Sequence, residues 1–342
     1  MQGIVFAGCS FTYGEGLDLY CNTEKWIEQR NHTTHDAELR VIGDSDGTNF
    51  RLNNNFGGLI GNHFDMKPMI HHHNGGCLAS SFRFIDAIND IYNHSDKKRL
   101  KELWKNNKRF EGNDWLESSL YEYLLNETKI KAIIIQLSCF NREPIHFNYK
   151  CKCEICDDTT WTPLETFYKH LHYIEKGGET TDDETKFFNH IAKKVKKDFN
   201  YEKFCSLKSK DFIDASIKLE RDVSKLYKKY MTEGLDIVKT EFIERYEETI
   251  APVYFIDSWD KVSSDYVFEN EFYYNRLIPL KSDNGKYYKR WTSWEKNLKN
   301  SVISDDFPKT HNRHPSLHAH KKISESVIEF LNKLPFFKKT NI

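Results

Sequence analysis

Four apolar runs of β-forming type stand out along an otherwise polar chain. They occupy residues 3–7, 66–73, 130–137 and 252–259. The run at 130–137 is a nearly continuous series of apolar, β-branched residues, which is typical of a central strand covered on both faces. Apolar residues at helical spacing occur between and after these runs, most clearly in 56–64, 82–93 and 323–331. We therefore predict strands that alternate with helices.

The middle of the chain has a different composition. From about residue 163 to 250 it is rich in Lys, Glu, Phe and Tyr, and a broad apolar stripe at helical spacing runs through 210–249. We interpret 151–250 as a helical insertion, with a cysteine cluster at its start, that forms a lid or a contact in a homo-oligomer. Residues 1–150 and 251–342 then make up one α/β domain.

Charge and cysteine content narrow the partners and the compartment. The chain of 342 residues has 50 basic and 51 acidic side chains, and this balance favours neither nucleic acid nor an anionic membrane as a partner. The sequence has no long apolar span and no signal-peptide pattern, so we expect a cytoplasmic protein. Its eight cysteines are then expected as thiols or metal ligands, because disulfides are rare in a reducing compartment.

The first apolar run ends in a small hydroxyl residue. Gly8, Cys9 and Ser10 follow residues 3–7 directly, and open α/β folds place their ligands at the carboxyl ends of such strands. Ser10 is therefore our candidate nucleophile. The alternative is a strand followed by a glycine-rich turn in which the serine serves only as a cap.

Two short blocks resemble those of a known family. Residues 8–14 (GCSFTYG) resemble the first block of the SGNH/GDSL hydrolase superfamily, in the GxSfTxG form of its divergent phage and bacterial members. Residues 314–320 (HPSLHAH), ahead of the last predicted helix, are similar to the family's last block, which supplies the catalytic histidine. The resemblance implies a three-layer flavodoxin-like α/β sandwich with a central parallel sheet, in which Ser10 and His314 are the nucleophile and base of an ester hydrolase.

The same resemblance implies an oxyanion hole built from two further segments. Residues 74–81 lead into a predicted helix, and the family's oxyanion glycine falls on Ala79, with Gly76 as the second candidate donor. Backbone N–H groups at a helix N-terminus suit an oxyanion, although a serine cap of the helix explains this segment equally well. Asn141, after the run 130–137, corresponds to the family's oxyanion asparagine but lies one residue later than the usual position.

The histidine of the last block lacks its expected acidic partner. The family places an aspartate three residues earlier, to orient the imidazole and to stabilise its charged form, and this position holds His311. The alternatives are a Ser–His dyad, or orientation of His314 by a different side chain. The candidates for that role are Asn312, Asp305, Asp306 and Asp257.

A second strand-like segment also ends in Gly-Asp-Ser. Residues 39–45 (LRVIGDS) match the letters of the family's usual first block, but Ser45 as nucleophile would leave the N-terminal strand without a role. We therefore predict a turn at 43–47, which is rich in Asp, Ser and Gly. We do not predict a metal site at the three histidines 71–73, because adjacent residues of a strand point to opposite faces.

Cys151, Cys153 and Cys156 form a CxCxxC pattern. Thiolate-rich tetrahedral sites suit Zn²⁺, so one interpretation is a structural zinc site that a fourth side chain completes. The candidate fourth ligands are His146, His170, His172 and Cys205. Free thiols in a surface loop are the alternative, and no cofactor is expected in catalysis.

These features predict hydrolysis of an O-acyl or O-acetyl ester on a small polar or carbohydrate substrate. The aromatic-rich segment 266–294 has few helical signals, and we expect it to wrap the mouth of the site, where it would suit sugar stacking. The alternative is a catalytically weak or inactive SGNH-like protein that serves as an assembly or interaction component in the host cytoplasm or the virion. The phage-like form of the first block favours this alternative.

Overall fold

The computed structural model describes residues 2–14, 16–21, 45–71, 78–93, 129–138, 163–178, 180–308 and 313–337. The chain forms two compact units. Unit 1 is Met1–Ser138 together with Glu244–Ile342, and unit 2 is Cys139–Ile243. Across the described ranges, no helix is both long enough and apolar enough to cross a membrane.

Unit 1 is organised around a parallel sheet. Its strands are β1 (Gln2–Ala7), β2 (Lys67–Ile70), β3 (Lys129–Gln136) and β4 (Val253–Ile256), in the order β2-β1-β3-β4. β1 and β3 lie in the middle and are buried along almost their whole length, as their apolar composition favours. Parallel pairing, for example of Val5 with Ile133, brings the carboxyl ends of the strands to one edge.

Helices flank this sheet and connect its strands. They are Ser10–Tyr13, Ser45–Asn54, Phe56–Phe64, Leu78–Asn93, Glu244–Thr249, Lys261–Glu269, Glu271–Arg276, Trp291–Glu295, Ile303–Asp306 and Leu317–Leu331. Short 3₁₀ turns cover Leu17–Tyr20 and Pro335–Phe337, and an antiparallel pair joins β5 (Leu280–Lys281) to β6 (Tyr287–Tyr288). The predicted α/β class with a central parallel sheet is confirmed.

The helix Phe56–Phe64 links the two ends of the chain. Asn55 caps its start, because the side-chain oxygen of Asn55 accepts a hydrogen bond from the first turn. The first N–H of the helix, on Phe56, is taken up by the C-terminal helix Leu317–Leu331, where Nδ1 of His320 accepts it at 3.1 Å. The two helices therefore share a specific polar contact as well as apolar packing.

In its described part, unit 2 is helical throughout. Its helices are Pro163–Lys176, Asp182–Val195, Tyr201–Cys205 and Ser209–Ile237, and the last one continues into a π-helical turn, Val238–Ile243. The interior is aromatic: the ring centroid of Phe188 lies 4.6 Å from that of Phe167 and 4.7 Å from that of His170.

The predictions were least accurate at the starts of helices. The turn predicted at 43–47 is wrong in its described part, because Ser45 begins the helix Ser45–Asn54. The helices that begin at Leu78 and Leu317 were predicted to begin later. Their first turns contain polar or small residues, which hide the helical spacing of the apolar ones.

The aromatic-rich segment 266–294 also differs from its prediction. It contains the helix Glu271–Arg276 and most of Trp291–Glu295, where few helical signals were seen. Trp291 and Trp294 are 2% and 0% exposed. These two rings therefore belong to the core and do not form an open stacking surface.

Candidate active site

The turn after β1 is shaped by close packing of its backbone. A Cβ atom added at Gly8 would lie 2.1 Å from Oγ1 of Thr12 and 3.0 Å from the backbone oxygen of Gln136, so glycine alone fits here without displacing its neighbours. Ser10 begins the next helical turn, in which the N–H of Thr12 donates to the oxygen of Cys9 at 3.0 Å. Ser10 thus follows the carboxyl end of β1, at the edge where folds of this class bind ligands.

The neighbouring strands hold this turn in place. His71 follows β2, and its Nδ1 lies 3.1 Å from the carbonyl oxygen of Gly8. Because a carbonyl oxygen can only accept, Nδ1 of His71 carries the proton. At the end of β3, the thiol of Cys9 donates to Oε1 of Gln136 at 3.2 Å. Both contacts fix the backbone on which Ser10 is carried.

His314 is positioned by backbone pairing near the C-terminus. Its carbonyl oxygen accepts from the N–H of Ile303 at 2.9 Å, and the N–H of Ser316 donates to the oxygen of Ser301 at 3.1 Å. The side chain of Ser316 also caps the helix Leu317–Leu331. Hydrogen bonds therefore hold the backbone at His314 and at Ser316, two residues later.

The 3₁₀ turn after Ser10 packs against the segment that pairs with His314. The hydroxyl of Tyr20 donates to Asp306, and the ring of Tyr20 lies 4.9 Å from that of Phe307 between centroids. Leu19 and Ile303 form a small buried cluster beneath them. Two segments from opposite ends of the sequence thus share one packed region.

Phe11 makes the direct contact between the two candidate blocks. Its ring centroid lies 5.4 Å from that of His314, in an edge-to-face arrangement with an interplanar angle of 74°. The same ring lies 5.7 Å from Trp259 and 5.7 Å from Trp291. Since Phe11 is bonded to Ser10, the backbone of Ser10 lies one residue away from a side chain that contacts His314.

The three described carboxylates that were candidate partners of the histidine have other partners. Oδ2 of Asp257 accepts from the hydroxyl of Ser264 at 2.6 Å and from the N–H of Trp291 at 2.9 Å. Burial raises the pKa of Asp257 to about 6, against the opposing effect of these hydrogen bonds. Asp305 accepts from the N–H of Val302, and Asp306 accepts from the side chain of Asn300 and from the hydroxyl of Tyr20. These contacts give each of the three carboxylates a role in local structure.

A second histidine is fully buried close to His314. His320 is 0% exposed, and its ring is stacked on Phe56 with the centroids 5.8 Å apart. Burial, and then the nearby imidazole of His314, lower the pKa of His320 to about 3. The ring is therefore neutral near pH 7, and its proton lies on Nε2 because Nδ1 accepts from the backbone.

Ala79 is the one described residue among the predicted oxyanion donors outside the Ser10 turn. It is the second residue of the helix Leu78–Asn93 and not part of the preceding loop. The first N–H groups of a helix have no acceptor within the helix, so this position still suits a donor. The other predicted site residues lie outside the described ranges: Gly76, Asn141, His311, Asn312, Cys151, Cys153 and Cys156.

The zinc prediction gains no support from the described residues. Within these ranges no group of three or more His, Cys, Asp or Glu side chains is arranged to hold a metal ion. Of the candidate fourth ligands, His170 lies in the core of unit 2, with its Nε2 3.1 Å from the hydroxyl of Tyr201. That contact explains the position of His170 without a metal.

Comparisons of the chain with protein-family models, curated proteins and solved structures find no match. Function must therefore be inferred from the residues and their geometry. Four contributors to the candidate site were missed by sequence reasoning: Phe11, His71, Trp291 and His320. Each acts through a contact with a residue far away in the chain, which no local pattern reveals. Phe11 and His320 stand inside the blocks 8–14 and 314–320, and Trp291 lies in the aromatic-rich segment 266–294, so a sequence signal exists for these three but not for His71.

Proposed function

We propose that this protein is a serine ester hydrolase of the SGNH/GDSL type, with Ser10 as nucleophile and His314 as general base. The observation that carries the proposal is the contact between the rings of Phe11 and His314, with centroids 5.4 Å apart. A nucleophile and its base must lie within hydrogen-bond reach, directly or after a small movement. The contact of Phe11 with His314 supports the proposal because Phe11 is the residue next to Ser10 in the chain.

The strand order of unit 1 supports the proposal independently. Doubly wound sheets of the flavodoxin-like order bind ligands where the winding direction reverses, beyond the carboxyl ends of the strands. In the order β2-β1-β3-β4 this reversal falls between β1 and β3. Ser10 follows β1, so the proposed nucleophile stands at the position where such folds place their ligands.

The proposed reaction is a two-step acyl transfer. His314 takes the proton from the Ser10 hydroxyl as its oxygen attacks the ester carbonyl, and the oxyanion is held by the N–H groups of Ser10 and Ala79 or Gly76 and by the side chain of Asn141. His314 then protonates the leaving alcohol, which leaves an acyl-enzyme. A water that gives its proton to His314 hydrolyses this intermediate, and the acid departs as Ser10 regains its proton.

We propose a small O-acyl or O-acetyl ester as the substrate. Carbohydrate remains one candidate for the alcohol part, but the sugar-stacking argument does not extend to Trp291 and Trp294, because both rings are buried. Phe11 and Trp259 are only partly buried, and the ring of Phe11 contacts both Trp259 and His314. An aromatic wall at this place suits a short acyl chain or an apolar leaving group.

A second candidate function is that of an assembly or interaction component. Ile213 and Ile217 stand one turn apart on the helix Ser209–Ile237 and are 49% and 56% exposed. Neighbouring exposed isoleucines favour a protein contact. This function predicts no serine-dependent turnover.

Hydrolysis of p-nitrophenyl acetate by matched serine variants separates the two functions. Ser10→Ala should lower kcat by about 10⁴-fold or more, as loss of a nucleophile does in serine hydrolases. Ser45→Ala, which removes the serine of the second Gly-Asp-Ser segment, should leave kcat unchanged. Equal turnover by the parent protein and Ser10→Ala, or absence of turnover in both, would exclude the hydrolase.

A further inference from the structure

Asp257 is a buried carboxyl group at the same sheet edge as the candidate site. It follows β4 directly and is 1% exposed. Its Oδ2 accepts two hydrogen bonds, from Ser264 and from the N–H of Trp291. Its Oδ1 is buried, and the N–H of Ser258 also favours the charged carboxylate. Burial of a carboxylate is unfavourable for stability unless the group is well paired, so the hydrogen bond with the N–H of Trp291 ties two segments of the chain together.

The contacts of Asp257 lead to the candidate base in three steps. Trp291 is the first residue of the helix Trp291–Glu295, and its backbone N–H donates to Oδ2 of Asp257 at 2.9 Å. The ring of Trp291 lies 5.7 Å from that of Phe11, and the ring of Phe11 lies 5.4 Å from that of His314. Aromatic pairs at these distances have preferred orientations, so the position of each ring restricts that of the next.

We propose that Asp257 is a positioning residue of the candidate site: its carboxylate holds the backbone of Trp291, and the ring of Trp291 in turn fixes Phe11 against His314. This role rests on the proposed function for its catalytic meaning, but the structural link can be measured without any activity. A charged carboxylate accepts a hydrogen bond about twice as strongly as a neutral group. Protonation of Asp257 therefore loosens the link and leaves the fold in place.

The charges around Asp257 set the pH range in which the link changes. Arg290, which precedes Trp291, is the cation whose charge favours the carboxylate. Arg290 is itself paired with Asp265 at 2.5 Å, and Asp265 also binds Lys261 at 2.7 Å. Burial outweighs these favourable effects and raises the pKa of Asp257 to about 6. The link is thus strong above pH 7 and weak at pH 5.

NMR on protein labelled with ¹⁵N at tryptophan tests the structural link. The backbone N–H signal of Trp291 should move between pH 7 and pH 5 with a midpoint near 6, and in Asp257→Asn it should stay still. Asp260→Asn is the matched control, because Asp260 caps the neighbouring helix through Ser263 and makes no hydrogen bond to Trp291 among the described contacts. If Asp257→Asn fails to fold, the parent protein alone can still overturn the proposal, because a Trp291 signal that does not move between pH 7 and pH 5 is incompatible with it.

Ester hydrolysis measured across pH tests the catalytic part. Asp257→Asn should lower kcat about tenfold at pH 8 with KM nearly unchanged, because the reacting groups are misplaced while substrate contacts remain. Near pH 6 the acid limb of log kcat against pH should have a steeper slope in the parent protein than in the variant, because protonation of Asp257 adds a loss of up to about tenfold that the variant has already undergone.

The outcomes distinguish the link from the hydrolase. A Trp291 signal that does not titrate, or that titrates equally in Asp257→Asn, overturns the positioning role whatever the activity. A titrating signal together with unchanged kcat and slope in the variant also overturns it. Titration without any Ser10-dependent turnover supports the structural link and refutes the hydrolase alone.

Discussion

His320 makes the stability of the protein depend on pH in a calculable way. The ordinary pKa of histidine is 6.5, and burial of His320 lowers it to about 3. Between these values the unfolded chain takes up a proton that the folded chain refuses, so stability is present above pH 6.5 and is lost as pH falls. From pH 7 to pH 5 the linkage relation gives a loss of about 2 kcal/mol from this one group.

The variant His320→Asn removes the titration but keeps the structural contact. The Oδ1 of asparagine occupies about the place of Nδ1 of histidine, so it can still accept the N–H of Phe56, which His320 accepts at 3.1 Å. The variant is expected to be less stable at pH 7 because it loses the stacked ring over Phe56. Relative to the parent protein it should recover about 2 kcal/mol at pH 5.

Urea unfolding followed by circular dichroism at pH 7 and pH 5 measures this difference. The quantity of interest is the free energy of unfolding of the parent protein minus that of the variant, compared between the two pH values. His63→Asn is the control, because it makes the same chemical change at an exposed position of the helix Phe56–Phe64. A difference that stays constant between pH 7 and pH 5 would refute the argument, since it would mean that His320 takes up a proton equally well when folded.

Two further predictions concern the turn at Ser10 and the core of unit 2. Gly8→Ala should lower the free energy of unfolding by about 1–3 kcal/mol through overpacking, because the new Cβ would lie 2.1 Å from Oγ1 of Thr12. The control Gly178→Ala, whose new Cβ would have its nearest neighbour at 3.4 Å, should change the stability little. Urea unfolding measures both variants. Burial lowers the pKa of His170, so unit 2 should become less stable as pH falls below 6.5. The variant His170→Gln keeps a hydrogen-bond partner for Tyr201 and should abolish that loss. Hydrogen exchange in the helix Pro163–Lys176 at pH 7 and pH 5, corrected for the intrinsic exchange rate, measures the effect.

The strands were predictable from sequence because their composition itself indicates a buried strand. β1, β3 and β4 are short runs of apolar residues with β-branched or aromatic side chains, and such runs suit a sheet covered on both faces. Helix starts were less predictable, since the first turn exposes backbone N–H groups and therefore favours polar residues. The helix Leu317–Leu331 illustrates this, because its first turns carry His318 and His320 between apolar residues.

The candidate site was predictable in its two blocks and not in the contacts that join them. Short sequence motifs identify Ser10 and His314, but they do not predict that Phe11 contacts His314 or that Trp291 contacts Phe11. Asp257 was considered as an orienting group for His314, and the structure gives it the N–H of Trp291 as a hydrogen-bond donor. Contacts of this kind depend on the three-dimensional arrangement of the strands, which the order β2-β1-β3-β4 determines.

The two buried titrating groups near His314 act on stability in opposite directions. The pKa of Asp257 is raised from 3.8 to about 6, so the folded chain binds an extra proton in this range and gains about 1 kcal/mol between pH 7 and pH 5. Over the same interval His320 lowers the free energy of unfolding by about 2 kcal/mol. The net effect of the two groups is a loss of only about 1 kcal/mol. The contributions of these two groups to stability therefore largely cancel between pH 7 and pH 5, and only Asp257 changes its protonation in the folded chain over that interval. If the proposed function holds, activity should fall between pH 7 and pH 5 without a comparable loss of stability from this pair of groups. Matched variants must therefore be compared with the parent protein to separate the contribution of each group.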